Sequence, residues 1–247
     1  MLRPFKADFH IHTCLSPCTE LDMSPKGILT SAKEKELDII GICDHNSSEN
    51  ALAVMNAAKK MNIHVFPGME VTSQEEVHVL ALFDEIENAL KLQNFIYKNL
   101  PGKNDEKAFG MQVIVDEKEE VLGFSNKLLI GATTIPLEEV IQLIHSFSGI
   151  AIASHIDRES FSIIGQLGFI PDNLALDALE ISPNISFEEA KKRYAYNYPL
   201  TCSSDAHYPD DIGKGFTSFL LEDVTLTEIK MALKNQDGRK LIQLNYS

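Results

Sequence analysis

Basic residues are scarce: 22 Lys and Arg stand against 36 Asp and Glu, giving a formal net charge of −14. That deficit argues against an extended nucleic-acid surface, because nonspecific grip on phosphate backbones needs clustered Lys and Arg. A compact site can still attract a small anion if bound metal ions supply local positive charge. No window of eighteen apolar residues occurs, and the opening MLRPFKADFH carries no apolar core before a small-residue cleavage site. Neither a membrane span nor a signal peptide is therefore expected, and the cytoplasm is the expected location. Cysteine is sparse as well: Cys14, Cys18, Cys43 and Cys202 form no C-x-x-C pair. Reduced thiols are expected rather than a disulfide framework, with Cys43 and Cys202 serving as core packing. No P-loop, G-x-S-x-G elbow or Ser-His-Asp order is present, which removes nucleotide-triphosphate cradling and covalent acyl catalysis.

What is there is an α/β rhythm. The chain has 247 residues, 44% of them apolar, enough to bury a sizeable core. DIIGICDH follows SPKGILTSAKEKEL, then come SSENALAVMNAAKKM and IHVFPGMEV, the alternation of a mainly parallel sheet or barrel. Further strand-like runs are EVHVLALF, GIAIASH, ALEIS, PLTCSSD, FTSFLLE and KLIQLN, with helical patterns near 85–98, 136–147, 186–196 and 225–235. Ser24 before Pro25, and Thr225 three residues before Glu228, mark helix starts. Residues 101–135 break the rhythm: two apolar runs flank an acidic turn and read as an inserted β-hairpin.

Side chains two apart on a strand share a face, so His10 and His12 in DFHIHT point together, as do Asp205 and His207 in SSDAH. Both pairs end an apolar run, where the functional face of a (β/α) barrel lies. Asp44 and His45, Glu70, His78 and His155 occupy the same kind of position, so six of the eight histidines sit at strand ends. A single histidine there is more often a structural residue, the reading kept for His64 and His145. Collectively, converging imidazoles and carboxylates would be costly to bury without a cation, and they form an N/O donor set for zinc, iron or manganese.

Taken in order, DFHIHT, CDHN, GMEVT, VHVLAL, ASHIDR and SSDAH resemble the successive motifs of the PHP (polymerase and histidinol phosphatase) family. The resemblance covers nearly the whole chain apart from the hairpin. It implies one domain over 1–247, a distorted (β/α)7 barrel, and two or three divalent ions, Zn, Mn or Fe, in a trinuclear centre. Carried over by residue, it implies a first ion at His10, His12, Glu70 and Asp205. Glu70 would bridge to a second at His78 and His155, and a third would take His45 and His207. Asp8 and Asp44 are expected to support the ligands from behind. The loop after H-x-H, TCLSPCTELDMSP, is longer than in many relatives; counting back from SP places Glu20 as the further ligand, with Asp22 and Cys18 as rivals.

The expected reaction is hydrolysis of a phosphate monoester or diester by a metal-bridging hydroxide, with Glu70, Asp205 and His207 at the reacting centre. Arg158 could grip the phosphate through its fork or pair with Asp157 or Glu159; Lys214 is a weaker candidate. The expected partner is a small phosphorylated metabolite or nucleotide, with a short oligonucleotide as the variant. Two other classes compete: a C-N bond hydrolase on a similar metal barrel, and a noncatalytic metal-binding module that uses the hairpin to recruit a partner.

Overall fold

The computed structural model describes residues 1–194 and 197–246, the side chains of 243–246 excepted. In chain order the elements are β1 (Arg3–Ile11), α1 (Pro25–Glu34), β2 (Ile39–Ile42), α2 (Ala51–Ala58), β3 (His64–Thr72), β4 (His78–Leu82), α3 (Ile86–Lys98), α4 (Glu106–Phe109), β5 (Val113–Val115), β6 (Val121–Phe124), α5 (Leu137–Ser146), β7 (Ile150–Ala153), α6 (Ile163–Leu167), β8 (Ala178–Ile181), α7 (Phe187–Arg193), β9 (Leu200–Cys202), β10 (Gly215–Leu221), α8 (Leu226–Leu233) and β11 (Lys240–Tyr246). The helix starts follow their sequence signals: Ser24 accepts from Gly27 N with Pro25 in the first turn, and Thr225 accepts from Glu228 N.

The main sheet has nine strands in the order β11-β10-β1-β2-β3-β4-β7-β8-β9, rather than seven. It is less parallel than its alternating sequence predicts. β1, β2 and β3 are parallel and so are β7, β8 and β9, but β4 runs antiparallel between the two groups, β10 returns antiparallel along β1, and β11 runs antiparallel along β10. The sheet curls until β9 meets β10. There a side chain replaces the main-chain ladder: Thr217 Oγ1 accepts from Cys202 N (2.8 Å) and donates to Cys202 O (2.9 Å). Residues 113–124 form a separate two-stranded antiparallel sheet, β5-β6, around the turn at Asp116–Glu120.

Both faces of the central strands are covered, so they read as continuous apolar runs. On β4, Val79 and Ala81 pack with Leu92 and Ile96 of α3 and Val140 and Ile144 of α5, while Leu80 and Leu82 face Phe9, Phe66 and Ile152. The interior is tight: a Cβ at Gly41 would lie 2.5 Å from the Phe9 carbonyl oxygen, and one at Gly68 2.4 Å from that of Ala81.

His145 belongs to this scaffold. Asp177, just before β8, accepts from its Nε2 (2.8 Å) and from the Ala151 amide of β7 (2.9 Å). Burial pushes the Asp177 carboxyl up, but these hydrogen bonds and the nearby cations hold it below its usual range. Asp177→Ala is therefore expected to cost about 1–2 kcal/mol in urea unfolding at neutral pH. Because the folded-state value is lowered, that contribution is present above the ordinary carboxylate range and fades as pH falls through it.

Candidate metal centre

Seven strand ends converge on one rim of the sheet. His10 lies on β1 and His12 just past it; His45 follows β2, Glu70 lies on β3, His155 follows β7, Glu180 lies on β8, and Asp205 and His207 follow β9. His78 opens β4 instead of ending it, because β4 runs against its neighbours and its first residue reaches the same rim. His155 (φ 26°) and Asp205 (φ 50°) turn the chain in the left-handed region, a conformation that costs energy and is held by the surrounding contacts.

Glu70 is at the middle. Its Oε1 lies 2.9 Å from His78 Nδ1 and 3.3 Å from both His10 Nε2 and His155 Nε2; its Oε2 lies 3.1 Å from His45 Nδ1 and 3.6 Å from His12 Nε2. Asp205 Oδ1 sits 3.1 Å from His12 Nε2 and 3.2 Å from His10 Nε2, while its Oδ2 pairs with the Arg158 guanidinium. Three sets of donor atoms lie within 4.8 Å of one another: His10, His12 and Asp205; His45, Glu70 and His78; and His12, His45 and His207. His155 meets the centre through Glu70. Arg158, Asp205 and His207 also line an open cavity of about 520 Å³.

The electrostatics of this cluster are those of groups competing for too few protons. Burial pushes the Glu70 carboxyl up, but the imidazoles of His78 and His10 hold it well below its usual range. Burial lowers His10, yet Asp205, Glu180 and Glu70 raise it well above an ordinary imidazole; His12, buried beside His207 and His45, falls well below. Despite the short distances, Glu70 Oε1, Glu180 Oε2 and the buried Nδ1 atoms of His45, His78 and His155 make no well-oriented hydrogen bond. Buried polar atoms are ordinarily satisfied. A donor set of this composition fits divalent cations, which would take up Glu70 Oε1 and the Nδ1 atoms of His45 and His78 turned toward that carboxylate.

Supporting residues fix the imidazoles. His12 Nδ1 lies 3.0 Å from Ser16 Oγ, which donates to Asp44 Oδ1 (2.7 Å), leaving His12 Nε2 toward the centre. Asp44 also accepts from the Thr13 amide and hydroxyl, both at 2.7 Å. Asp8 ties β1 to the far side of the barrel by accepting from Ser204 N (3.0 Å) and Gly213 N (2.9 Å). Burial moves its pKa up to about 6, against those hydrogen bonds. Glu180 was not singled out from the sequence. Its Oε1 takes His10 Nδ1 (3.0 Å) and the His155 amide (3.1 Å), so it orients one imidazole and the backbone of another. The signal was a lone acid in the apolar run ALEIS, of the same kind as Glu70 in GMEVT.

Other expected residues lie elsewhere. Glu20 is exposed and faces a different groove, beside Leu21, Met111 and Val113, and Asp22 is exposed too. The loop carrying them folds back on itself, with Thr19 Oγ1 donating to Thr13 O (2.7 Å) and Ser16 O (2.8 Å), and this turns Cys18 inward instead. Cys18 lines the central cavity beside His45 and His207, whose imidazoles act on its thiol. Of the two readings of Arg158, the neighbouring ion pair gives way: Asp157 accepts from the Ser182 amide and hydroxyl, and Arg158 turns to Asp205. Lys214 pairs with Asp211 on the surface, and His64 is exposed at the opposite end of β3, against Phe66. Among the described residues no helix is long and apolar enough to cross a membrane.

The PHP domain family model matches residues 8–166, and a PHP-associated model matches 189–237. The chain belongs to the PHP family. The second match carries Asp205 and His207, whereas Glu180 falls between the two. This PHP chain is 25% identical to the uncharacterized protein YqxK of Bacillus subtilis over 98% of its own length and 65% of that protein's. Among solved structures it resembles the lesion-specific endonuclease PfuEndoQ of Pyrococcus furiosus (TM-score 0.73, 18% identity, 98% of this chain and 58% of that one). It also resembles endonuclease Q in complex with a 27-mer duplex bearing an abasic lesion at the active site (TM-score 0.73, 20% identity, 97% and 58%). The PHP chain thus spans less than two thirds of the length of each. These structures correct the expectation of a small phosphorylated partner with no extended nucleic-acid surface, since in endonuclease Q the same fold receives duplex DNA. Net charge sums the whole surface and is blind to a local cluster of donors at a rim, which is where the sequence argument failed.

Proposed function

We propose that this chain is a metal-dependent phosphoesterase that cleaves a phosphodiester bond of a nucleic-acid strand. The observation that carries the reading is Glu70, a buried carboxylate facing imidazoles from β1, β2, β3's antiparallel neighbour and β7 at hydrogen-bonding distances without well-oriented hydrogen bonds. His10, His12, Glu70 and Asp205 would hold one ion, and Glu70, with His45, His78 and His155 around it, a second. Such ions supply neutralisation of phosphoryl oxygens and a lowered pKa for water. Arg158, with its side chain 40% exposed, is placed to exchange Asp205 for a nonbridging phosphoryl oxygen, to which its fork is matched. That exchange frees Asp205 Oδ2 to take the proton of the attacking water. Phe161 supports a strand as substrate: its ring stacks on His78 at 4.7 Å, is 40% exposed and borders the cavity, offering a face to a base beside the scissile phosphate.

The test is one assay with three arms. Chain supplied with Mn²⁺ or Zn²⁺ is expected to cut a labelled oligonucleotide and to lose that activity on chelation. Phe161→Ala is expected to raise KM for the oligonucleotide by about tenfold, from a stacking loss of roughly 1–3 kcal/mol, with little change for an abasic sugar-phosphate diester. Turnover of cyclic amides with no cleavage of any phosphodiester would reject the proposal in favour of C-N hydrolysis.

A further inference from the structure

We propose that Cys18 is a metal donor, completing with His45 and His207 a thiolate-containing position in the centre that prefers a soft ion such as zinc; this rests on the metal-dependent reading above. The position differs in kind from the rest of the centre, where the donors around Glu70 and Asp205 are imidazoles and carboxylates.

Three observations meet here. The loop after β1 is pinned at its start by Thr13 and Ser16 on Asp44 and closed by Thr19 on Thr13 and Ser16, so the direction of Cys18 is built into the fold. Cys18 lines the same cavity as His45 and His207, and both imidazoles act on its thiol; with His12 they already bring their nitrogens within 4.8 Å of one another. His45 is buried, and its Nδ1 has no well-oriented hydrogen bond. Carboxylates stand close by, Glu70 Oε2 3.1 Å from His45 Nδ1 and Asp205 Oδ1 3.7 Å from His207 Nδ1, but a thiol beside two imidazoles adds the sulfur of the N/S set that zinc takes and harder ions take poorly. The other thiols are committed elsewhere: Cys14 packs against Val113 and Val115, Cys43 donates to Phe9 O, and Cys202 is buried on β9. On binding, the S–H proton passes to solvent and sulfur gives its electron pair to the ion.

The experiment is a cobalt titration of the purified, metal-free full-length chain, followed by absorption. The wild type is expected to show a thiolate-to-cobalt charge-transfer band in the near ultraviolet along with the visible d–d bands. Cys18→Ser and Cys18→Asp are expected to lose the first and keep the second, with circular dichroism unchanged. In parallel, iodoacetamide is expected to label Cys18 in the metal-free protein, with labelling suppressed at least about tenfold by stoichiometric zinc. Visible bands without the charge-transfer band, or a charge-transfer band that survives in Cys18→Ser, would overturn the thiolate position and leave the metal-dependent reading standing. No cobalt spectrum of either kind would overturn both.

Discussion

Glu70→Gln is expected to empty the centre and to lower phosphodiester turnover by about 10³-fold, some 4 kcal/mol of transition-state stabilisation. The two side chains have the same shape, so the substitution tests charge and donor capacity without opening a cavity. Glu70 Oε1 faces three imidazoles and Oε2 two more. An amide can present an oxygen to only one side; its NH₂ would stand against the ring nitrogens on the other, and it adds no negative charge to balance two divalent ions. Metal content by mass spectrometry should fall together with activity, while circular dichroism stays that of the wild type. Retained metal with retained turnover would mean that the imidazoles alone hold the ions and that Glu70 is a hydrogen-bond acceptor only.

The difference between what the sequence disclosed and what it hid follows from the range of the interactions involved. Six histidines at the ends of apolar runs were legible because alternation and strand termination are local, and all six meet at the rim. The helix caps at Ser24 and Thr225 were legible for the same reason. The direction of β4 was not: HVLAL reads alike both ways, and only pairing with β3 and β7 makes His78 the first residue at the rim rather than the last. Nor was the loop after β1. Counting back from SP favoured Glu20, but the fold of that loop depends on Asp44, some thirty residues on in the chain, accepting from Thr13 and Ser16. Glu180 was hidden because its partners, His10 and the His155 amide, are 170 and 25 residues away.

Asp205→Asn is expected to lower kcat by about 10²–10³-fold with little loss of folding stability, and it separates proton transfer from ion binding. Asn tolerates the left-handed backbone that Asp205 adopts at φ 50°, so the turn after β9 survives the change. Its carbonyl oxygen can still face His10 and His12 in place of Oδ1. What is lost is the second anionic oxygen, which holds Arg158 in the free chain and is placed to receive a proton once a phosphate has drawn Arg158 away. Burial would raise the Asp205 carboxyl, but His10 and His12 beside it hold it well below its usual range. It therefore stays ionised across any neutral or mildly acidic assay, and the wild-type rate should not fall on its account until pH drops below the ordinary carboxylate range. Arg158→Ala should instead act mainly on KM, because it removes the grip on phosphate and leaves the acceptor in place. A kcat for Asp205→Asn within twofold of the wild type, with the metal content unchanged, would take the proton-accepting role from this carboxylate and leave it a ligand alone.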